Sequence, residues 1–379
     1  MPAARSVRRW MLAIITTLGI ILLVLTLVKG VEEPVGPAEP VASNEAEGKM
    51  EEQETVSVKS LEELVDEYGH LRLIDVHNHG ASDRRYNAML STWDRTSVDQ
   101  IVLFGDVSEP SAMRTDAIAW RAYQEHPERF IPFFSGVNLL DESGLETARI
   151  NLEKGYFGIG EIAAASIHSP VLANVAWKTE DPMDGILPQL YELSAEYEVP
   201  LLLHIDPPNG YAVTKLMDAL TAYPDTTFIF AHANAYNQAG NVERLLEEHP
   251  NLYMDIFAGF TTVNSYDDRE MASYISVMEK YPDRFMLSTD SGYGLGSEEV
   301  AIEGMYRWID AIDDPALVRK VAYENMDRLI RHQPATNSQI AAIQAHDADR
   351  AGTLDFTQLT RVEAGRILID LGVDDIEVK

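Results

Sequence analysis

The sequence has no cysteine and few basic residues. Its 379 residues contain 30 lysines and arginines against 61 aspartates and glutamates, which gives a formal net charge of −31. The lack of cysteine excludes disulfides, zinc–thiolate sites and cysteine nucleophiles. The acidic excess argues against nucleic acid as a partner, because a phosphate backbone would be repelled. Hydrophobic residues make up 46% of the chain, which is enough for a globular core.

Charged residues are also missing from one long apolar run near the N-terminus. Residues 11–28 carry no charge, whereas Arg5, Arg8 and Arg9 precede the run and acidic residues follow it. A helix of this length rises about 27 Å, close to the hydrocarbon thickness of a bilayer. We therefore expect residues 1–30 to anchor the protein in a membrane, with the remaining chain outside the cytoplasm. The alternative is a cleaved signal peptide, which would leave a secreted or periplasmic protein.

Short apolar runs alternate with helix-period segments after an acidic linker at residues 31–58, which is rich in Pro, Glu, Ala and Gly. The runs are residues 71–76, 99–107, 129–137, 155–162, 199–205, 226–233, 251–258 and 284–290. Eight strand–helix units predict an α/β fold, a (β/α)8 TIM barrel over residues 59–333. A doubly wound open sheet is the alternative. The first run is not followed by the glycine-rich phosphate loop that would support this alternative.

Metal-ligating residues stand where several of these runs end. They are His77, His79, Glu161, His204, His232 and Asp290. In a TIM barrel the carboxyl ends of the strands meet at one face, where the chemistry takes place. Imidazoles and carboxylates suit zinc, manganese, nickel or iron. His77 and His79 lie two residues apart, so both side chains point into the barrel and Asn78 points away from it. The pattern predicts a metal site.

This set of motifs resembles the amidohydrolase superfamily of metal-dependent hydrolases, and most closely its branch with the short "DVHxH" start and a glutamate bridge, as in TatD-like enzymes. The resemblance covers residues 71–331, including the ending "VAYENMDRLIRH". It implies that one divalent metal, the more buried one, is held by His77, His79 and Asp290. It also implies that His204 and His232 hold a second metal and that Glu161 bridges the two ions.

The resemblance implies a hydrolase, in which a metal-activated water attacks an ester, lactone, amide or phosphoester bond and Asp290 acts as general base and acid. The expected cofactor is zinc, as one or two ions, and the expected partner is a small-molecule substrate. A mononuclear decarboxylase of the same superfamily is the alternative, and a non-enzymatic calcium-responsive protein is a third interpretation. A homo-oligomer stays open. The candidates for substrate contact follow strand ends: Arg84, Trp177, Asn209, Tyr211, Asn234 and Tyr293.

The C-terminal segment, residues 337–379, has a pattern of its own. Its stretch "DADRAGTLDFTQ", residues 347–358, resembles an EF-hand calcium loop flanked by helices. The candidate calcium ligands are Asp347, Asp349, Thr353 and Asp355. Ala351 and Gln358 occupy two positions that normally supply ligands, which should weaken calcium binding. The alternative is a loop that keeps the helical shape without the ion.

The orientation of the expected anchor can be tested through its basic flank. Neutralising Arg5, Arg8 and Arg9 should disturb the orientation, because they are the basic cluster that precedes the uncharged run. Protease treatment of intact spheroplasts measures the sidedness. Protection of the C-terminal part of the wild-type protein under these conditions would contradict the expected orientation.

Overall fold

The computed structural model of the protein describes residues 58–165, 172–206, 211–264 and 269–378. The expected membrane anchor and nearly all of the acidic linker lie outside the described residues. Within the described ranges, no helix combines the length and the apolar character needed to cross a membrane.

Eight parallel strands form a nearly closed barrel in chain order, β1 to β8. Their bounds are Ile74–Asn78 (β1), Gln100–Leu103 (β2), Phe130–Phe134 (β3), Gly158–Ala165 (β4), Leu201–Ile205 (β5), Phe228–Phe230 (β6), Leu252–Phe257 (β7) and Phe285–Ser288 (β8). Each strand overlaps one apolar run predicted from the sequence, and each pairs in parallel with the next along the chain. This order agrees with the predicted (β/α)8 architecture and differs from a doubly wound sheet, in which the strand order reverses.

A buried carboxylate joins the first strand to the end of the last. Asp75 accepts hydrogen bonds from the Thr289 hydroxyl at 2.6 Å and from the Thr289 backbone N–H at 2.9 Å. The Asn78 amide donates to the same carboxylate at 2.8 Å. Burial raises the pKa of Asp75 to about 6, although these hydrogen bonds oppose the shift. The contact brings the histidines of β1 next to the loop that follows β8.

Helices surround the barrel and begin at recognisable sequence signals. Their bounds are Leu61–Tyr68, Tyr86–Arg95, Pro110–Glu125, Ser143–Lys154, Leu187–Glu196, Tyr211–Ala222, Ala233–Tyr236, Ala239–Glu248, Ala258–Asn264, Arg269–Lys280, Glu298–Ala311, Pro315–Arg319 and Asn325–Arg331. Short 3-10 turns lie at Ser82–Arg84 and Asp290–Gly292, and a π-helical turn lies at Lys320–Glu324. Ser60 and Glu63 form a capping box at the first helix, and Ser297 caps the helix that begins at Glu298.

The barrel interior is packed with large side chains and leaves little room for the backbone. Phe133 of β3 is fully buried, and it pairs with Gly158 of β4. A Cβ atom at Gly158 of β4 would come within 2.2 Å of the Phe133 ring. Glycine is therefore required at this position, because any other residue would displace an aromatic side chain that the surrounding core holds in place.

The C-terminal segment packs against the barrel at the end where its strands begin. Its helices are Asn337–His346, Ala348–Ala351 and Arg361–Asp370. Arg361 is only 1% exposed and donates to the backbone carbonyls of Tyr156 at 2.5 Å and Tyr197 at 3.1 Å. The two tyrosines lie two residues before β4 and four residues before β5. A buried cation therefore joins the C-terminal segment to the chain just before two strands. Glu153 also accepts a hydrogen bond from the Ser338 backbone N–H at 2.9 Å.

The predicted helices flank the EF-hand-like loop, but its carboxylates make local contacts. Asp347 accepts from the Arg350 backbone N–H at 2.9 Å, and Asp355 accepts from the Thr357 N–H at 3.0 Å and the Thr357 hydroxyl at 2.6 Å. Among the described residues, the groups of side chains close enough to share a metal ion do not include this loop. Calcium binding by Asp347, Asp349, Thr353 and Asp355 stays a prediction.

The Arg361 contact is open to a stability test. Arg361→Met keeps the apolar stem but leaves two buried carbonyls without donors, so the free energy of unfolding should fall by roughly 2–4 kcal/mol. Urea denaturation followed by circular dichroism measures the loss. Arg350→Met is the control, since Arg350 is a half-exposed tail arginine paired with Asp347. Equal stability of the two variants would contradict a stabilising role for the Arg361 contact.

Candidate metal centre

The six residues that the sequence predicts as metal ligands lie together at the carboxyl ends of the strands. Their donor atoms form two groups, each with all of its atoms within 4.8 Å of one another. The first group is His77, His79 and Asp290, and the second is Glu161, His204 and His232. The second group is buried, whereas in the first group His77 is buried and the other two residues are partly exposed. The donor set of imidazoles and carboxylates fits divalent transition metals.

The first group gathers around the ring nitrogens of the two β1 histidines. The Nε2 atoms of His77 and His79 lie 3.2 Å apart, and each is 3.5 Å from Oδ1 of Asp290. This Asp290 oxygen comes from the turn after β8, which the contact between Asp75 and Thr289 holds beside β1. Three donors therefore converge from the first and last strands, which are neighbours in the barrel.

Glu161 of β4 belongs to both groups through its two oxygens. Its Oε1 lies 2.8 Å from Nδ1 of His204 and 3.1 Å from Nε2 of His232. Its Oε2 lies 3.5 Å from Nε2 of His79 and 3.7 Å from Nε2 of His77. A carboxylate with one oxygen toward each set of donors has the arrangement of a bridging ligand.

Two of the six residues adopt left-handed backbone conformations. His232 has φ of 36° and Asp290 has φ of 43°, values that non-glycine residues rarely adopt. Each follows the end of its strand, where the chain turns away and the side chain must stay over the barrel mouth. Such local strain persists only where surrounding contacts enforce it, and it clusters at functional sites. At His232 one of these contacts is a hydrogen bond from its backbone N–H to Asp255 at 3.0 Å.

An outer layer of acceptors orients the histidine rings. Asp255 of β7 is fully buried, and its Oδ2 accepts from Nδ1 of His77 at 2.7 Å as well as from the His232 backbone N–H. Asp206 accepts from Nε2 of His204 at 3.0 Å, and a backbone carbonyl, that of Gly105, accepts from Nδ1 of His79 at 2.8 Å. Each bond leaves the other ring nitrogen facing the centre, the arrangement expected around metal ligands.

Neither outer carboxylate is among the site residues predicted from the sequence. Asp255 interrupts the apolar run "NLYMDIFA", and Asp206 follows His204 by two residues in "LLLHID". A charged residue inside a buried strand needs a specific partner, because an unpaired buried charge is costly. That signal was available, but it does not indicate which of the six strand-end residues the carboxylate contacts.

The electrostatics of the cluster favour bound cations. Burial disfavours charged histidine, yet the carboxylates of Asp290 and Glu161 outweigh burial and raise the pKa of His77 well above its usual value. Glu161 and Asp206 likewise raise the pKa of His204 to about 9 against burial. Burial would raise the pKa of Glu161, but His204 and His77 hold it well below its ordinary value. The carboxylate field that stabilises imidazolium ions would also stabilise divalent metals at the same place.

A cavity of about 690 Å³ opens above the two groups. Beyond the metal-capable residues, its lining includes Ser82, Arg85, Asp106, Val107, Glu109, Leu172, Val175, Tyr236, Phe257, Phe260 and Tyr293. Of the residues predicted to contact substrate, Tyr293 lines this cavity. Asn209 and the side chain of Tyr211 lie outside the described part of the chain.

The other substrate candidates lie elsewhere. Asn234 is buried, and its amide donates to the carbonyl of Phe257 at 2.9 Å and accepts from the Phe257 N–H at 2.9 Å, so it braces a loop. Trp177 and the exposed Arg84 do not line the cavity, whereas Arg85 does. Both arginines belong to the loop after β1, where a 3-10 turn lies at Ser82–Arg84. Substrate contact by Arg84 stays a prediction.

Comparisons with known proteins agree with this fold. A family profile described as Amidohydrolase matches residues 74–331. An uncharacterised TIM-barrel protein from Bordetella bronchiseptica is similar at 15% identity and a TM-score of 0.53, over 69% of this chain and 99% of that one. A TatD homologue from Escherichia coli has 17% identity and a TM-score of 0.50 over 69% and 98%. A comparison with curated proteins gave no match.

The role of Asp255 can be tested by a graded pair of variants. Asp255→Ala removes an acceptor that serves one residue of each group, so metal binding should weaken by roughly 10–100-fold at both groups. Asp255→Asn can keep an oxygen at the same place and should weaken it less. Calorimetric titration with zinc measures the affinities. Asp206→Ala, the matched control, should weaken the group of His204 alone, and an effect of Asp255→Ala confined to one group would contradict the dual contact.

Proposed function

The chain belongs to the amidohydrolase family, and on that premise we propose that it is a metal-dependent hydrolase of small molecules. The proposed reaction is attack by an activated water on an ester, lactone, amide or phosphoester bond. The observation that carries the proposal is the position of Glu161, whose two oxygens face two separate groups of nitrogen and oxygen donors. Two metal sites joined by a carboxylate are a recurrent device of hydrolytic enzymes.

The residues of the two groups would hold the ions. His77, His79 and Asp290 would hold one, His204 and His232 would hold the other, and Glu161 would bridge them. We propose zinc, which accepts imidazole and carboxylate ligands, undergoes no redox change and has no geometric preference from its d electrons. The outer contacts of Asp255 and Asp206 would keep the rings in position as ions bind and leave.

The chain's own groups would divide the remaining work. A bound divalent ion supplies Lewis acidity, which makes water a nucleophile at neutral pH. Asp290 would accept a proton from the attacking water and return it to the leaving group, because its carboxylate lies at the cavity floor. The apolar wall of Val107, Phe257 and Phe260 would exclude bulk water and orient the body of the substrate.

The number of ions separates this proposal from the mononuclear decarboxylase. Three ligands such as His77, His79 and Asp290 suffice for a single catalytic metal. A single metal at the first group would leave the second group without a function. In that group, ring nitrogens of His204 and His232 lie 2.8 and 3.1 Å from Oε1 of Glu161 in a largely buried cluster. A second ion would give that group a function, and two bound equivalents would favour the hydrolase.

A charge-removing change at Glu161 tests the bridge. Glu161→Gln keeps the shape but removes the negative charge that would offset repulsion between two cations, which stand about 3.5–4 Å apart in such sites. The variant should bind about one metal equivalent and lose hydrolysis of a panel of esters, lactones, amides and phosphoesters, with partial recovery at high added zinc. Elemental analysis after dialysis measures the stoichiometry.

Glu109→Gln is the control for metal content, because Glu109 lines the same cavity but belongs to neither group of ligands. It should retain the wild-type stoichiometry. If Glu161→Gln binds two equivalents with wild-type affinity, Glu161 is not the bridge. If the wild-type protein binds one equivalent, the dinuclear proposal fails and the decarboxylase gains support.

A further inference from the structure

Arg85 is the one lysine or arginine among the described residues that line the cavity above the metal centre. We propose that its guanidinium binds a carboxylate of the substrate, at a distance from the bond that is cleaved. The substrate would then be an anionic molecule with an apolar body. The location of the cleaved bond rests on the proposed hydrolase function, whereas the carboxylate site does not.

Two carboxylates that line the cavity together with Arg85 are hydrogen-bonded to hydroxyl groups. Asp106 accepts from the Ser82 hydroxyl at 2.6 Å, and Glu109 accepts from the Ser111 hydroxyl at 2.7 Å. Within the described part of the chain, Arg85 makes neither an ion pair nor a side-chain hydrogen bond. Its donors are therefore available to a ligand, and guanidinium binds carboxylates in a bidentate, charge-assisted way.

The buried carboxylate of Glu298 also hydrogen-bonds to groups other than Arg85. Oε1 of Glu298 accepts from the Asn78 amide at 2.9 Å and from the Trp93 indole N–H at 2.8 Å. Burial and the charge of Asp75 raise the pKa of Glu298 to about 7, and Arg85 opposes that shift from a distance. Arg85 thus contributes positive charge to this end of the barrel without being neutralised in a direct pair.

The backbone that carries Arg85 is anchored on both sides. The Tyr86 N–H donates to the carbonyl of Gly80 at 2.9 Å, and the Tyr86 side chain is buried. The Ser82 hydroxyl is tied to Asp106. Arg85 therefore leaves the loop after β1 from a defined point, a few residues beyond His79. Both Arg85 and its neighbour Arg84 are exposed, but Arg84 has φ of 57° and does not line the cavity.

Apolar side chains make up much of the remaining cavity lining. They are Val107, Leu172, Val175, Phe257 and Phe260, with the rings of Tyr236 and Tyr293 nearby in the lining. A volume of about 690 Å³ admits a molecule of one or two rings. The site thus combines an apolar wall, one unpaired cation and a metal-capable floor. That combination suits an ester or amide built on an aromatic or branched acid.

Binding of simple aromatic acids to the full-length, zinc-loaded protein tests the proposal without turnover. Benzoate offers one carboxylate, which the metal centre can take, whereas phthalate, isophthalate and terephthalate offer a second one at three separations. Since a charged hydrogen bond contributes about 1.5–3 kcal/mol, at least one dicarboxylate should bind roughly tenfold or more tightly than benzoate. Isothermal titration calorimetry measures the four affinities.

Arg85→Gln should abolish this advantage and leave benzoate affinity and zinc content unchanged. Arg84→Gln, the matched control, should keep the advantage, and Arg85→Lys should keep part of it because a point charge remains without the bidentate fork. Thermal melting checks that each variant folds, as expected for a change at an exposed position. The values of kcat/KM should show the same pattern when esters that carry a free carboxylate are compared with esters in which a neutral amide replaces that carboxylate.

The proposal is overturned if no dicarboxylate exceeds benzoate in the wild-type protein, or if the advantage survives Arg85→Gln. It is also overturned if Arg84→Gln removes the advantage equally, because a general surface charge would then explain it. A dicarboxylate advantage that depends on Arg85, found together with no hydrolysis of any panel substrate, would leave the carboxylate site standing and reject the hydrolase function alone.

Discussion

The two-sided contact of Glu161 is the interaction on which the arrangement of the site depends. One oxygen meets His204 and His232, and the other faces the histidines of β1. Glu161 lies inside β4, between Ile159 and Ile162, which both pair with β5 but with a shift of register between them.

Carboxylates outside the centre transmit this order to its edges. Asp255 holds the ring of His77 and the backbone of His232 together, so one buried side chain links the two groups of ligands. Asp75 likewise joins the first strand to the end of the last, because it binds Thr289, the residue before Asp290. The C-terminal segment contacts the other end of the barrel through Arg361, away from the two groups of ligands. In TIM barrels the chemistry takes place at the carboxyl ends of the strands, where those ligands lie.

The strands could be predicted because buried parallel strands are continuous apolar runs, yet the runs exceed the strands at several ends. The run at 99–107 contains a strand that ends at Leu103, because the chain then turns over the mouth with polar and small residues such as Gly105 and Asp106. The loop residues were harder. Asn234 resembles a substrate ligand in sequence, but its amide is consumed by the backbone of Phe257. Only the fold decides which polar side chains are already satisfied.

The sequence by itself determined the barrel, through eight apolar runs at regular spacing, and it determined the set of six metal-capable side chains, because parallel strands bring their carboxyl ends together. Tertiary structure decided how the six divide into two groups, since that depends on which oxygen of Glu161 faces which ring. It also decided that Asp255 and Asp206 orient the histidines and that Arg85, not Arg84, faces the cavity. Most of these contacts join residues that lie 43 to 178 positions apart. Such contacts, like the turn of a single loop, have no fixed period along the chain for a sequence pattern to reveal.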